Sequence, residues 1–261
     1  MAKSYDPHWF SQLFAVEDRH FWFRARNQLV ASIVKRLAAT LPSEMCAIEV
    51  GCGTGNVLRH LERVLPNSFI IGMDSFFTGL RYAKQRVQCQ LVEGDMHHPP
   101  FGKQFHFVGM FDVLEHLPDD RQVLSDLHNM LTPNGVLLLT VPAHLSLWSY
   151  FDESAYHVRR YGVVELRDKL QAAGYVVEFI SQYMMSTYPL LWLRRKFIGR
   201  NHTSGNSAEA HVLAKQELTI VPVLNELLTA ILSLEAGWIS QGRRLPFGTS
   251  LIAVARKPPQ G

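Results

Sequence analysis

Residues 49–56 read Glu-Val-Gly-Cys-Gly-Thr-Gly-Asn, between an apolar run over Cys46–Val50 and a helical apolar pattern over Asn56–Leu65. The apolar run predicts a buried strand, and the glycines predict a turn that lets the backbone pass close to a ligand. Backbone amides at the start of the next helix then face that ligand. A dinucleotide site would read GxGxxG, whereas here the third glycine comes one residue early. The stretch therefore predicts a strand, a ligand-binding glycine turn and a helix, without the dinucleotide spacing.

Strand and helix patterns alternate along much of the chain. Apolar runs predict strands over 46–50, 68–73, 90–93, 105–111, 136–141 and 175–180. Helical spacing predicts helices over 24–39, 56–65, 79–87, 119–131 and 163–173. This alternation is typical of an α/β fold, a doubly wound sheet with helices on both faces. A last strand over Thr249–Ala255 follows a long excursion, and we expect it to be an antiparallel edge partner.

We expect a single domain over 1–261 with two helical additions. The first is an N-terminal helical cap over 1–42, which begins with an aromatic cluster and ends at Pro42. The second is a helical insertion over 183–248, between strands 6 and 7. It contains an apolar and basic segment over 189–198, a polar stretch over 201–207 and a long apolar helix over 218–239 interrupted by Pro222. That helix is too apolar for one exposed face, so it must cover the sheet, a partner chain or a hydrophobic acceptor.

The composition excludes several classes of protein. Apolar residues make up 47% and charged residues 19% of the chain, which excludes a disordered or low-complexity protein. The net charge of +3 is small for a nucleic-acid-binding protein. Three cysteines without a CxxC pair predict reduced thiols. We see no signal peptide, and charged residues within 218–239 argue against a membrane span, so we expect a cytoplasmic protein.

Acidic residues stand at the ends of four successive predicted strands. Asp74, after the second strand, is placed to accept hydrogen bonds from both hydroxyls of a ribose. Asp95, after the third strand, is placed to meet an adenine amino group. Asp112 ends the fourth strand, near where an amino-acid tail would lie, and Glu49 ends the first. Together these acids suit a ligand that combines ribose, adenine and an ammonium group.

This constellation resembles the class I S-adenosylmethionine-dependent methyltransferases of the broad type 11/type 23 group. The matching segments are Glu49–Gly55, Gly72–Asp74, Gly94–Met96, Phe111–Leu117, Pro133–Leu137, the N-terminal Phe21–Arg26 and Leu147–Tyr161. The layout is similar in part to the ubiquinone-pathway O-methyltransferases, in which a Glu-His pair follows strand 4. The resemblance implies a Rossmann-like sheet of seven strands in the order 3-2-1-4-5-7-6, with strand 7 antiparallel.

The resemblance also implies S-adenosyl-L-methionine as cofactor and S-adenosyl-L-homocysteine as product. It places Glu49 at the methionine tail, Asp74 at the ribose, Asp95 at the adenine and Asp112 at the sulfonium end. Arg26 could pair with the methionine carboxylate, the alternative being a solvated helix charge. The full set of expected cofactor-binding residues is Arg26, Glu49, Gly51, Cys52, Gly53, Gly55, Asn56, Asp74, Ser75, Asp95, Met96, Phe111 and Asp112.

Histidines that follow strands 4 and 5 are the candidate catalytic residues. His157 is the first choice as general base, because imidazole titrates near neutral pH and Asp152 could fix its tautomer. His116 is the second choice and His144 the third, and for each the alternative is a structural histidine. We predict no metal ion; the alternative is an ion at 97–98 or between His144, Asp152 and His157. Adjacent histidines seldom bind one ion together, and no HExxH or Cys/His spacing is present.

We therefore expect a methyltransferase that acts on a small or lipophilic acceptor, with O-methylation favoured and the insertion walling the acceptor pocket. An NAD(P)-dependent Rossmann oxidoreductase and a non-catalytic S-adenosylmethionine-binding protein are the alternatives. The basic residues Arg194–Lys196 indicate a lipid-like acceptor or peripheral contact with an anionic membrane, or else a solvated lid or homodimer contact. We expect no nucleic-acid acceptor, because Asp112–Glu115 stands where an Asn/Asp-Pro-Pro-Tyr/Phe motif would.

Overall fold

The structure is a computed structural model that describes residues 9–96, 99–102, 104–198 and 213–259, without the side chains of 194 and 196–198. In this part of the chain, seven strands form one sheet in the order β3-β2-β1-β4-β5-β7-β6. The strands are β1 (Cys46–Val50), β2 (Phe69–Asp74), β3 (Gln90–Glu93), β4 (Phe105–Phe111), β5 (Leu131–Pro142), β6 (Val176–Tyr183) and β7 (Ser250–Arg256). Strand β7 pairs antiparallel with β5 and β6, and the other pairs are parallel. The predicted order and orientation are confirmed.

Helices cover both faces of this sheet. They are α1 (Trp9–Val16), α2 (Phe21–Ala38), α3 (Leu58–Val64), α4 (Phe77–Ala83), α5 (Asp120–Met130), α6 (Tyr150–Ser154), α7 (Val163–Ala172), α8 (Tyr188–Ile198) and α9 (Pro222–Ser240), and residues 213–217 are also helical. Helices α2, α3 and α9 share a core with one face of the sheet, while α5 and α7 share a core with the other. Strand β5 is buried on both faces from Val136 onward, as expected for a central strand of such a sheet.

The insertion packs onto the N-terminal cap, above the same face of the sheet. Leu232, Ala236 and Ile239 of α9 are buried in one core with Leu29 and Ile33 of α2. The predicted apolar helix therefore covers the cap and the sheet with one side. Helix α9 is also long and apolar enough to be a candidate membrane span, with a mean hydropathy of 1.2. Only 28% of that window is buried, on the side of α9 that packs against α2.

Two local predictions are wrong. Pro222 does not interrupt the long helix but begins it, where a proline sacrifices no helical hydrogen bond. Strand β5 begins at Leu131, whereas its predicted start is residue 136. The pairing of β4 with β5 shifts register between Phe105 and Phe107, and Asn134 has a φ of +63°. The predicted polar stretch over 201–207 lies outside the described residues.

Candidate active site

The glycine turn after β1 has a backbone that glycine adopts without strain. Gly51, Gly53 and Gly55 have φ values of +74°, +50° and +76°. A Cβ atom on Gly51 would lie 2.4 Å from a methyl carbon of Val113, in the loop after β4. The loops after β1 and β4 therefore meet at this turn, and no larger residue fits at Gly51 without a rearrangement.

Asp74, the last residue of β2, holds the turn in place. Its Oδ2 accepts a hydrogen bond from the backbone N–H of Gly53, and its Oδ1 accepts one from that of Phe76, both at 2.8 Å. Burial raises the pKa of Asp74, and the backbone donors oppose that rise. Each carboxylate oxygen has a second lone pair. Asp74 can therefore orient the turn and still accept hydrogen bonds from a ligand.

Glu49, near the end of β1, is a buried carboxyl group with an unsatisfied oxygen. The residue is 2% exposed, and its Oε2 has no hydrogen-bond partner among the described residues. Burial raises the pKa of Glu49 well above the usual range, and the charge of Arg26 opposes the rise. A buried polar atom that stays unpaired costs about 1–3 kcal/mol. Glu49 is thus placed to receive a donor or a cation.

Arg26 of α2 is buried against the loop after β4. Its Nη1 donates a hydrogen bond to Asp112 Oδ2 at 2.8 Å, and the guanidinium carbon lies 5.0 Å from the centroid of the Trp22 ring. Burial alone would lower the pKa of Arg26, but Asp112 raises it. The alternative of a solvated helix charge is therefore wrong for Arg26. Arg24, two residues earlier on α2, is only partly buried and pairs with Glu226.

The remaining residues of the predicted cofactor set divide by burial. The buried ones are Cys52, Asn56, Met96 and Phe111, and the exposed ones are Ser75 and Asp95. Asn56 connects the residues after the turn to α2, because its Oδ1 accepts a hydrogen bond from Asn27 Nδ2 at 2.6 Å. Burial raises the pKa of the Cys52 thiol well above its usual range. Cys52 is thus an uncharged packing residue beside the turn.

An ion-pair cluster that the sequence did not predict fastens the cap to the glycine turn. Arg86 pairs with Glu17, and its Nη2 lies 3.2 Å from Asp18 Oδ1. The same guanidinium donates to the backbone oxygen of Thr54 at 3.2 Å. It also lies over the Phe14 ring, 4.0 Å from the centroid. The cluster could not be read from spacing, because Glu17 and Arg86 are 69 residues apart.

The two histidines ranked first and second lie together. The rings of His116 and His157 are 4.7 Å apart between centroids and nearly perpendicular. His157 Nδ1 lies 2.9 Å from Asp152 Oδ1, which also accepts a hydrogen bond from Arg160 Nε at 2.7 Å. Burial alone would raise the pKa of Asp152, but His157 and Arg160 lower it to about 2. Burial and the neighbouring His157 lower the pKa of His116 to about 3. His116 is therefore neutral near pH 7, and Asp152 is ionised.

Glu115 completes this cluster. It is 1% exposed, and neither carboxyl oxygen accepts a hydrogen bond from another residue in the described ranges. Its Oε1 lies 3.9 Å from His157 Nε2, and burial with Asp112 raises its pKa well above the usual range. The ligand atoms of Glu115, His116 and His157 lie within 4.8 Å of one another, close enough for one ion to span. The absence of a functional metal remains a prediction. The other metal site considered from the sequence, at 97–98, lies outside the described residues.

His144 belongs to a different set of contacts. Its Nε2 lies 2.5 Å from Gln182 Oε1, and its ring lies 5.7 Å from that of Tyr188. It has a φ of +60°, in the left-handed region that few residues other than glycine adopt. These contacts hold the loop after β5 against β6 and α8, so the structure supports a positioning role for His144 more than a role as base.

Arg195, on α8, reaches the same aspartate as His157. Its Nη1 lies 3.6 Å from Asp152 Oδ2, and its side chain is only 9% exposed. The prediction that the basic residues at 194–196 are solvated is therefore wrong for Arg195. No local pattern distinguishes Arg195 from its basic neighbours, because its burial depends on how α8 packs on the loop after β5.

The order of the sheet, the glycine turn and the buried acids that end β1 and β2 define the class I methyltransferase fold. A family model described as a methyltransferase domain matches residues 22–178, which is more than half of the chain. The chain therefore belongs to the methyltransferase domain family, whose cofactor is S-adenosylmethionine. The predicted family and cofactor are confirmed, and the match favours a methyltransferase over an NAD(P)-dependent oxidoreductase.

Two curated relatives carry methyltransferase names. A probable S-adenosylmethionine-dependent methyltransferase of Mycolicibacterium smegmatis is 26% identical over 165 residues, which are 62% of this chain and 62% of the relative. A trans-aconitate 2-methyltransferase of Yersinia pseudotuberculosis is 31% identical over 109 residues, which are 41% of this chain and 42% of the relative. The chain thus matches less than two thirds of the length of these relatives.

Solved structures share the fold. One is a methyltransferase in complex with the Haloferax volcanii Trm112 methyltransferase activator, with a TM-score of 0.62, 16% identity and coverage of 97% of this chain and 96% of that one. Another is the phosphoethanolamine N-methyltransferase 2 of Haemonchus contortus with S-adenosylhomocysteine, with a TM-score of 0.57, 18% identity and coverage of 89% and 52%. At these identities the likeness concerns the fold alone.

Proposed function

We propose that this chain transfers the methyl group of S-adenosylmethionine to a hydroxyl oxygen of a small or lipophilic acceptor, with His157 as general base. The observation that carries the proposal is the position of Asp112 between two clusters. Its carboxylate binds Arg26 at the cofactor end. Three residues further along the same loop, Glu115 Oε1 lies 3.9 Å from His157 Nε2 at the acceptor end. The chain therefore brings a cofactor site and an Asp–His pair to the same loop.

The residues of the cofactor end fit S-adenosylmethionine. The unsatisfied Oε2 of Glu49 suits the ammonium group, and the free lone pairs of Asp74 suit the ribose hydroxyls. Arg26 and Asp112 form a neutral pair that closes the sulfonium end. When bound, the cofactor supplies a methyl group that is electrophilic in an in-line displacement. The protein then has to orient the acceptor and exclude water.

The residues of the acceptor end fit a base. With its Nδ1–H donated to Asp152, His157 has an unprotonated Nε2 that can accept the hydroxyl proton. Asp152, held ionised by Arg160, stabilises the imidazolium that forms. A positioned base contributes about 10²–10⁴-fold to such a rate. Neutral His116 packs against the ring of His157 and orients it. The proton taken from the acceptor hydroxyl therefore stays on His157.

The insertion supports an acceptor role because it contacts this end of the site. Arg195 of α8 approaches Asp152, and Glu217 accepts a hydrogen bond from the hydroxyl of Tyr150 at 2.6 Å. Tyr150 belongs to α6, the helix that carries Asp152. We infer that the insertion walls the acceptor pocket.

Calorimetry and a transfer assay test the proposed function. Purified protein is expected to bind S-adenosylmethionine and S-adenosylhomocysteine and not NAD. Methyl-labelled S-adenosylmethionine is then offered with hydroxylated small molecules and, as matched controls, their O-methyl ethers. Label in the hydroxylated compounds alone supports the proposal. Binding of NAD but not of S-adenosylmethionine would contradict the assignment of a methyltransferase function to this fold. Binding of S-adenosylmethionine without methyl transfer would favour a non-catalytic protein.

The same assay, run with a chelator, tests the prediction of no metal. We expect equal turnover with and without the chelator, because His157 needs only Asp152 to act as a base. Turnover that the chelator abolishes and a divalent ion restores would instead assign Glu115, His116 and His157 to a metal site.

A further inference from the structure

Arg195 is a buried guanidinium whose donors are largely unused. Its side chain is 9% exposed, and its Nε and Nη1 make no hydrogen bond within the part of the chain that the structure describes. The distance of 3.6 Å from Nη1 to Asp152 Oδ2 is that of an ion pair and is too long for a hydrogen bond. Buried donors without acceptors are unfavourable, so this position calls for an acceptor that the described residues do not supply.

Asp152 cannot be that acceptor, because its lone pairs are already engaged. Its Oδ1 is hydrogen-bonded to His157 at 2.9 Å and to Arg160 at 2.7 Å, and its Oδ2 accepts hydrogen bonds from the backbone N–H of Ser149 at 2.9 Å and from the Ser149 hydroxyl at 3.5 Å. A carboxylate offers about four such sites. Asp152 therefore already pairs with the His157 imidazole, the Arg160 guanidinium and Ser149 before Arg195 approaches it.

The electrostatic surroundings of Arg195 lead to the same conclusion. Burial and the neighbouring Arg160 lower the pKa of Arg195, while Asp152 and Glu217 oppose that effect. Glu217 already accepts a hydrogen bond from Tyr150. An anion beside Arg195 would supply both the missing hydrogen-bond acceptor and the missing charge.

We propose that Arg195 binds an anionic group, a carboxylate or a phosphate, of the methyl acceptor; this inference rests on the proposed function. The planar guanidinium presents paired donors that match both anions. Because Asp152 lies between Arg195 and His157, the acceptor carries its anionic group on one side of Asp152 and its hydroxyl on the other. The substrate class is thus an acidic, hydroxylated small molecule.

Anion binding by the protein loaded with S-adenosylhomocysteine tests this site without knowledge of the acceptor. Inorganic phosphate and citrate are titrated separately, with potassium chloride at matched ionic strength as reference, and thermal stability and calorimetry are recorded. We expect saturable binding of one anion, weakened about tenfold to a hundredfold by Arg195→Met. The matched control is Arg243→Met, which removes an exposed arginine stacked on Trp238 and should leave anion binding unchanged. Tighter binding of phosphate would identify a phosphate ester as the anionic group of the acceptor. Tighter binding of citrate would identify a carboxylate.

Absence of saturable binding beyond the chloride reference would overturn the proposal, as would full binding by the Arg195→Met variant. If that variant does not fold, Arg195→Lys replaces it. Lysine keeps the positive charge but lacks the paired donors of the guanidinium, so unchanged anion binding by this variant would count against the site. Anion binding without any methyl transfer would leave the Arg195 site standing and remove the proposed function. Methyl transfer to neutral acceptors without anion binding would support the proposed function and overturn the Arg195 site.

Discussion

The two ends of the site leave opposite charges unsatisfied. At the cofactor end, Glu49 buries a carboxyl oxygen without a donor, close to a neutral Arg26–Asp112 pair. At the acceptor end, Arg195 buries donors without an acceptor, close to an Asp152 that is already fully engaged. One end therefore favours a cationic group and the other an anionic group. Under the proposed function, these two open charges correspond to the ammonium group of the cofactor and the anionic group of the acceptor.

Loss of the base should produce the largest effect, and it should fall on the acceptor end alone. His157→Asn keeps a side-chain donor for Asp152 but removes Nε2. We expect turnover to fall by about 10²–10⁴-fold, with S-adenosylmethionine binding nearly intact. Single-turnover transfer and calorimetry measure the two quantities separately.

His144→Asn is the comparison variant, because His144 contacts Gln182 outside the Asp152 cluster. We expect a much smaller loss of turnover from it. A His144 variant that loses more activity than the His157 variant would reverse the ranking of the two histidines. Equal loss of cofactor binding in the His157 variant would show that the two ends are not separable.

Loss of Asp74 should produce an intermediate effect confined to the cofactor end. Asp74→Ala removes the acceptor for Gly53 N–H and the predicted ribose contact. S-adenosylmethionine binding should weaken by about 1–3 kcal/mol, the cost of hydroxyls left unpaired in a closed site. Glu93→Ala is the control, because Glu93 pairs with Asp74 across β2 and β3 but is exposed. Equal losses in the two variants would mean that Asp74 acts only through the sheet.

The cofactor end could be predicted from the sequence because backbone conformation builds it. Glycines with positive φ occur only where a turn requires them, and acids at strand ends meet at one edge of a parallel sheet. The exception is Arg26, whose burial and pairing with Asp112 depend on the packing of α2. The sequence alone is equally consistent with a cofactor-binding Arg26 and with a solvated helix charge.

The acceptor end could be predicted only in part because side chains from distant elements build it. The pairing of His157 with Asp152 is local, and it was predicted. The contact of Arg195 with Asp152 depends on how a helix of the insertion docks, which no spacing encodes. Residues Glu17 and Arg86 show the same limit at the cap. Long-range ion pairs leave no periodic signal in a single sequence.

Replacement of Glu49 should produce the smallest effect of these substitutions. The effect is a change in the free energy of unfolding, and its sign is distinctive. Burial raises the pKa of Glu49 above its unfolded value of about 4.5, so the native state gains from this group below that pH and loses the gain as pH rises. Near pH 7 the ligand-free protein therefore carries a penalty that Glu49→Gln removes, and its free energy of unfolding in urea should increase. Binding of S-adenosylmethionine should weaken in the same variant, because glutamine cannot neutralise an ammonium group. The exposed Glu44→Gln should change neither quantity. Lower stability of the Glu49 variant near pH 7 would mean that Glu49 already has a partner in the folded protein. It would contradict the inference that the cofactor end leaves a carboxylate unpaired.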